Sequence, residues 1–127
     1  MSASDYAEIN RLMQAYADGL YDADSAALRQ VFHPKLAYVS ATEGDELYLD
    51  LETYLGRIDK RIPPSQRGDA RDESVLEIKL ASPVLAHVTA RMALMGRMYL
   101  DLLTLKRTPD GWRIVTKVFS YVGLEAA

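Results

Sequence analysis

The sequence predicts an α+β fold, with helices first and an antiparallel sheet last, and three observations predict it. Apolar residues recur at helical spacing in three segments ahead of Arg61. Four long apolar runs of strand character follow Asp72. The connections between those runs are only a few residues long, which suits antiparallel neighbours, whereas parallel ones need a crossover. No repeat or low-complexity tract interrupts the pattern, and neither flank of the Arg61–Asp72 stretch would stand alone. One domain over residues 1–127 is therefore expected.

Each element has its own signal. Ile9, Leu12, Met13, Tyr16 and Leu20 form the stripe of the first helix, with Ser4 as its N-cap and Gly19 near its end. Asp24 caps a short second helix that turns Leu28, Val31 and Phe32 inward and stops at Pro34. Leu36–Ser40 reads as a strand, Glu43-Gly44-Asp45 as a turn and Leu47–Leu49 as a short returning strand. Asp50 caps a third helix, whose stripe is Leu51, Tyr54, Leu55 and Ile58. Arg61–Asp72 contains Pro63-Pro64 and Gly68 and reads as an exposed loop or lid, with Arg67, Asp69, Arg71 and Asp72 solvated. Ser74–Leu80, Leu85–Met95, Met98–Arg107 and Trp112–Tyr121 then make an antiparallel meander, with Gly96-Arg97 among its connections.

The last hairpin carries the most information. Thr108-Pro109-Asp110-Gly111 has the residues of a type I turn with glycine in the left-handed position, a three-residue loop with a bulge at Gly111. That loop sets Thr108 opposite Trp112. One face then pairs Arg107–Arg113, Leu105–Val115, Leu103–Lys117, Asp101–Phe119 and Tyr99–Tyr121. The other pairs Lys106–Ile114, Thr104–Thr116, Leu102–Val118 and Leu100–Ser120. Asp101 and Lys117 become diagonal neighbours among aromatic and apolar residues, because a one-residue slip would invert every side chain. Both faces of these two strands are apolar. One must cover the helices, and a second copy of the chain is the expected partner of the other, giving a homodimer through one sheet face.

Composition excludes several classes. Without cysteine there is no disulfide framework, thiolate zinc site or cysteine nucleophile. A net charge of −3 argues against a general nucleic-acid or anionic-membrane surface. No apolar run approaches the roughly 20 residues of a membrane helix, and no leader pattern is visible, so the cytoplasm is the default location. His33 and His87 are too far apart in sequence to suggest a metal site, glycine-rich phosphate loops are absent, and no cofactor is called for.

Several stretches together are similar to a known superfamily. They are Tyr16-Ala-Asp-Gly19, Phe32-His33-Pro34, Tyr99-Leu-Asp-Leu-Leu-Thr-Leu-Lys106, and Asp110-Gly-Trp-Arg-Ile-Val-Thr-Lys-Val-Phe119. With the element order, they resemble the nuclear transport factor 2-like superfamily that includes ketosteroid isomerases, and within it the branch labelled putative lumazine-binding. The resemblance implies a cone-shaped fold: a curved mixed, mostly antiparallel sheet wrapped around three N-terminal helices. It also implies a dimer, and a pocket between the concave sheet face and the first helix. Where ketosteroid isomerases carry a catalytic carboxylate, the nearest residue here is Ser40. The paired histidines of scytalone dehydratase-like sites have no counterpart. The Asp/Arg pairing of limonene-epoxide hydrolase-like sites has its nearest equivalents in Asp101 with Arg91 or Arg97.

The candidate site residues follow. Asp101 and Lys117 form either a tuned acid–base pair or a structural ion pair that fixes register. His33, before a proline at a helix end, either caps the helix or joins the chemistry. Tyr16, Tyr38, Tyr99 and Tyr121, with Phe119, either fill the core or line a pocket for a flat, partly polar ligand. Two functions stay open. One is a small-molecule-binding domain with an apolar pocket between sheet and helices. The other is a cofactor-independent lyase, isomerase or cyclase of the ketosteroid isomerase or polyketide cyclase type. In the second, Asp101 is general acid or base, Lys117 sets its charge state, and His33 with Tyr16 orients a carbonyl or hydroxyl.

Overall fold

The computed structural model describes residues 3–124. Helices α1 (Ala3–Tyr21), α2 (Ser25–Arg29) and α3 (Leu51–Asp59) accompany six strands: β1 (Phe32–Ser40), β2 (Leu47–Leu49), β3 (Glu73–Ser82), β4 (Leu85–Leu94), β5 (Arg97–Thr108) and β6 (Gly111–Gly123). The strands form one curved sheet in the order β2-β1-β6-β5-β4-β3. Neighbours are antiparallel except β1 and β6, which run parallel.

The expected stripe of α1 is buried, as are Leu51, Tyr54, Leu55 and Ile58 of α3. Asp24 and Asp50 cap as their positions predict, accepting from the backbone N–H of Ala27 and Thr53. Gly19 permits close approach of α1 and α2, because a Cβ there would lie 2.7 Å from Leu28 Cδ2. Ser4 lies inside the first turn of α1 rather than ahead of it.

The second helix is shorter than expected. It ends at Arg29, and although Val31 and Phe32 are buried, Phe32 already opens β1. Pro34 therefore sits within a strand. Pairing with β6 is irregular between Phe32 and Ala37, the stretch where proline offers no N–H to a ladder. His33 consequently belongs to a strand and not to a helix end.

The final hairpin reaches the expected register by a different route. Tyr99–Tyr121, Asp101–Phe119, Leu103–Lys117 and Thr104–Thr116 pair as expected. Near the turn, however, Thr108 pairs with Gly111, Arg107 with Trp112, Lys106 with Arg113 and Leu105 with Ile114. The loop has two residues, not three, and the extra residue is Val115, which falls between the Ile114 and Thr116 pairs. The cause is apolar parity. Trp112 and Ile114 must face the core together with Lys117 and Phe119, and only one inserted residue between the two sets allows both. The preceding turn is Met95-Gly96, both at positive φ, rather than Gly96-Arg97.

The stretch after α3 is tied down rather than free. Ser65 donates its backbone N–H to Tyr21 O, and the Tyr21 hydroxyl donates to Asp69 O. Arg71 pairs with Asp18 and Glu73, and Asp72 with Arg91, so these charges are partnered and not simply solvated. On the outer sheet face, Leu100 and Leu102 of β5 are exposed beside Ser120 and Val118 of β6.

Candidate functional site

The concave face of β5 and β6 carries a carboxylate and an ammonium into the core. Asp101 is 1% exposed and Lys117 5%. They are diagonal neighbours, since Asp101 pairs with Phe119 and Leu103 with Lys117. Yet they do not bond to each other: among the described residues neither forms an ion pair. The register-fixing ion pair is replaced by two separate arrangements.

Asp101 is held from α1. The Tyr16 hydroxyl donates to Asp101 Oδ2 at 2.6 Å, while Oδ1 is buried without a hydrogen-bond partner among the described residues. A buried polar atom left in that state costs free energy, and such atoms are rare in folded proteins. Lys117 is held by rings. Its Nζ lies 5.0 Å from the ring centroid of Tyr16, 5.4 Å from Tyr38, and 5.5 Å from both Tyr54 and Phe119. Four ring faces thus surround the Lys117 side-chain nitrogen, and cation–π contacts of this kind contribute on the order of 1 kcal/mol each.

The rings are locked by mutual packing. Tyr38 stacks on Tyr54 at 4.1 Å and leans on Phe119 at 4.9 Å, and Phe119 meets Tyr99 at 5.6 Å. Burial pushes the phenols up: Tyr16 rises well above its ordinary range, with the nearby Asp101 charge adding to the effect. Burial likewise raises Tyr38 to about 12 against the opposing charge of Lys117, and raises Tyr54 against that of Arg61. At neutral pH all three are uncharged hydrogen-bonding groups.

A small cavity of about 10 Å³ lies among these side chains, lined by Tyr38, Tyr54, Arg61, Met92, Tyr99, Asp101 and Lys117. That volume is close to the least that one water needs. A larger cleft of about 170 Å³ adjoins it between α1 and strands β3 and β4. Its lining includes Met13, Tyr16, Ala17, Ala90 and Met92, with Asn10, Gln14, Glu73 and Arg91 also contributing. Met92 lines both spaces. The two spaces thus differ in size, the inner one small and the cleft between α1 and the sheet larger.

The structure brings together Asp101, Lys117, Tyr16, Tyr38, Tyr99 and Phe119. Of the other two expected members, His33 lies elsewhere and Tyr121 lies at the edge of the cluster, its ring 5.3 Å from that of Tyr99. Tyr121 is half-buried, its hydroxyl bonded to Asp45 and its ring 4.1 Å from the Arg97 guanidinium. His33 accepts the Lys35 N–H on Nδ1 at 3.0 Å and faces a separate hollow with Arg29, Thr108 and Arg113. Arg91 bonds Asp72, and Arg97 bonds the Tyr99 hydroxyl, so neither pairs with Asp101. Sequence reasoning missed Tyr54, Arg61 and Met92 as site residues. Tyr54 was legible as a core residue; nothing in the pattern aimed Arg61 at this cavity. Among the described residues no group of three His, Cys, Asp or Glu side chains is placed to hold a metal ion. No described helix is long and apolar enough to cross a membrane.

Comparison with known proteins gives a consistent picture. A family model described as putative lumazine-binding matches residues 4–120. No curated protein matches the sequence. Among solved structures, an NTF-2 like protein of unknown function from Silicibacter pomeroyi superposes with a TM-score of 0.84 at 20% identity, covering 96% of this chain and 100% of that one. A cystatin-like fold protein from Burkholderia xenovorans gives 0.73 at 17% identity, covering 96% and 95%. A ketosteroid isomerase-like protein from Erwinia carotovora atroseptica gives 0.74 at 13% identity, covering 96% and 99%. At these identities the likeness establishes the fold alone.

Proposed function

The chain belongs to the putative lumazine-binding family, and we propose that it is a small-molecule-binding domain whose site is the Asp101–Lys117 cavity with the adjoining cleft. One observation carries this reading: among the described residues, Asp101 Oδ1 is a buried side-chain oxygen with no hydrogen-bond donor. Beside it stands Lys117, whose Nζ lies over four aromatic rings and forms no ion pair among the described residues. Replacing such polar groups by apolar ones of the same shape commonly stabilises a core. Their retention is the expected signature of a site whose partners arrive with the ligand. The cleft supplies the volume that the inner cavity lacks.

Native mass spectrometry of freshly purified protein tests this. A co-purified organic molecule, lost when Asp101 and Lys117 are both replaced by apolar residues, is the expected result. Protein that arrives empty and gains no thermal stability from any member of a broad fragment library would overturn it.

The same geometry supports a second reading as a cofactor-independent lyase, isomerase or cyclase. Asp101 Oδ1 is open to accept a proton while Tyr16 steadies Oδ2, and Lys117 would stabilise an oxyanion beside it. Turnover of an enolisable carbonyl compound that vanishes in Asp101→Asn is its test. For assembly, the exposed Leu100 and Leu102 beside Val118 favour a homodimer through the outer sheet face.

A further inference from the structure

We infer that the site takes a small organic acid, a monoanion whose carboxylate is received by the Arg61 guanidinium with Lys117 as the second cation. This rests on the binding reading above and names the substrate class of that site. Charge leads to it. The inner cavity is lined by one carboxylate, Asp101, and by two cations, Lys117 and Arg61. Among the described residues neither cation enters an ion pair. Burial keeps the Tyr38 and Tyr54 phenols uncharged, although the Arg61 charge opposes it at both, so these hydroxyls supply no anion. The lining thus carries one positive charge in excess, and a ligand with a single negative charge balances it.

Arg61 is the cation suited to the carboxylate. It follows the end of α3, where its backbone N–H bonds to Ile58 O, and it is half-buried. Its planar fork of N–H donors matches the two oxygens of a carboxylate in a way that an ammonium does not. Asp101 acts in the opposite sense. Tyr16 of α1 fixes its Oδ2, and its charge repels an anion, which keeps the carboxylate to the Arg61 end. The body of the ligand is apolar, because Leu20, Met92 and Leu94 complete the cavity lining and Met13, Ala17 and Ala90 lie in the adjoining cleft. An inorganic anion would leave that surface uncovered, and a phosphate monoester would bring more than one charge. At about 10 Å³ the cavity admits a carboxylate only when a side chain yields. Two can do so: Met92, an unbranched thioether shared with the cleft of about 170 Å³, and Arg61, a long chain with solvent on one side.

A matched pair of probes tests this on the unaltered protein: hexanoate, and hexanamide, its uncharged counterpart of the same shape. Calorimetry at low ionic strength gives the affinities, and the Met92 methyl signal in NMR reports whether binding is at this site. Hexanoate should bind at least roughly tenfold tighter, the usual consequence of a charge-assisted hydrogen bond that the amide lacks. In Arg61→Gln that preference should fall below about threefold, and in Arg61→Lys, which keeps the charge without the fork, it should lie between the two. Equal affinity of the two probes in the wild type would overturn the organic acid while leaving a binding site at the cavity. So would failure of both probes alongside an uncharged fragment that shifts Met92. An undiminished preference in Arg61→Gln would overturn the role of Arg61 and with it the inference. Failure of every fragment, charged or neutral, to shift Met92 would overturn the organic acid and the binding reading together.

Discussion

Tyr16→Phe isolates the single hydrogen bond on which the geometry of the site depends. The ring stays, so its edge contact with Phe32 at 6.0 Å and its face toward Lys117 are retained. Only the hydroxyl is lost, and with it the 2.6 Å bond to Asp101 Oδ2. Because Oδ1 has no partner among the described residues, the variant leaves both oxygens of a carboxylate that is 1% exposed without a donor there. A hydrogen bond to a charged group contributes about 1.5–3 kcal/mol, so a loss of about 2 kcal/mol is expected. For a domain of this length that is roughly 7 °C in Tm. Asp101→Leu supplies the control. Without the carboxylate, the Tyr16 hydroxyl is itself an orphan, and removing it should cost nothing or add stability. The cycle of Tyr16→Phe, Asp101→Leu and the double variant should therefore give a coupling of about 2 kcal/mol by urea unfolding, at one protein concentration and with an unchanged m value. A coupling below about 0.5 kcal/mol would refute the reasoning. It would mean that Asp101 is satisfied by other donors and that Oδ1 is not held open.

Three further outcomes follow from the same structure. Tyr38 has its pKa raised to about 12 from 10.0, so its contribution to stability is complete below pH 10 and is lost as the pH rises from 10 through 12. Tyr16 and Tyr54 shift in the same direction. The urea midpoint should fall across that window and fall less steeply in Tyr38→Phe; equal slopes would contradict the burial of the phenol. Gly19→Ala should destabilise by about 1 kcal/mol, because crowding of Leu28 at 2.7 Å outweighs the gain in helix propensity. In a Leu28→Ala background the sign should reverse, and a gain in the wild type would show that Leu28 yields freely. Leu102→Glu, on the exposed outer face, should convert a dimer to a monomer in sedimentation without altering the far-ultraviolet circular dichroism. A wild type that is already monomeric at tens of micromolar would remove the dimer.

The parts of this molecule that local rules govern were legible in its sequence. Asp24 and Asp50 announce α2 and α3 because a cap is a contact between residues three apart. Asp101 and Lys117 could be placed on one face because hairpin register propagates through a period of two. The starting point of that register was wrong by one residue, and the placement survived because the bulge at Val115 restored the count. The clue to the bulge lay in the apolar parity of Trp112 and Ile114 against Phe119 and Tyr121. Turn chemistry at Gly111 pointed to the wrong place for the extra residue, and burial of Trp112 and Ile114 decided the matter.

The site itself depends on contacts that no local rule reaches. Tyr16 meets Asp101 across 85 residues, and Arg61 reaches the cavity from the end of a segment that reads as loop. His33 illustrates the reverse error. Proline after it resembles a helix stop, but the chain enters β1 there, so its imidazole turns toward Lys35 and a different hollow. What separates the two outcomes is the parallel pairing of β1 with β6, which brings Tyr38 alongside Lys117 and leaves His33 at the opposite end of the strand. A parallel neighbour has no turn to announce it. The aromatic enclosure of Lys117 is built across that pairing, so its composition was visible in the sequence while its closure around the ammonium was not.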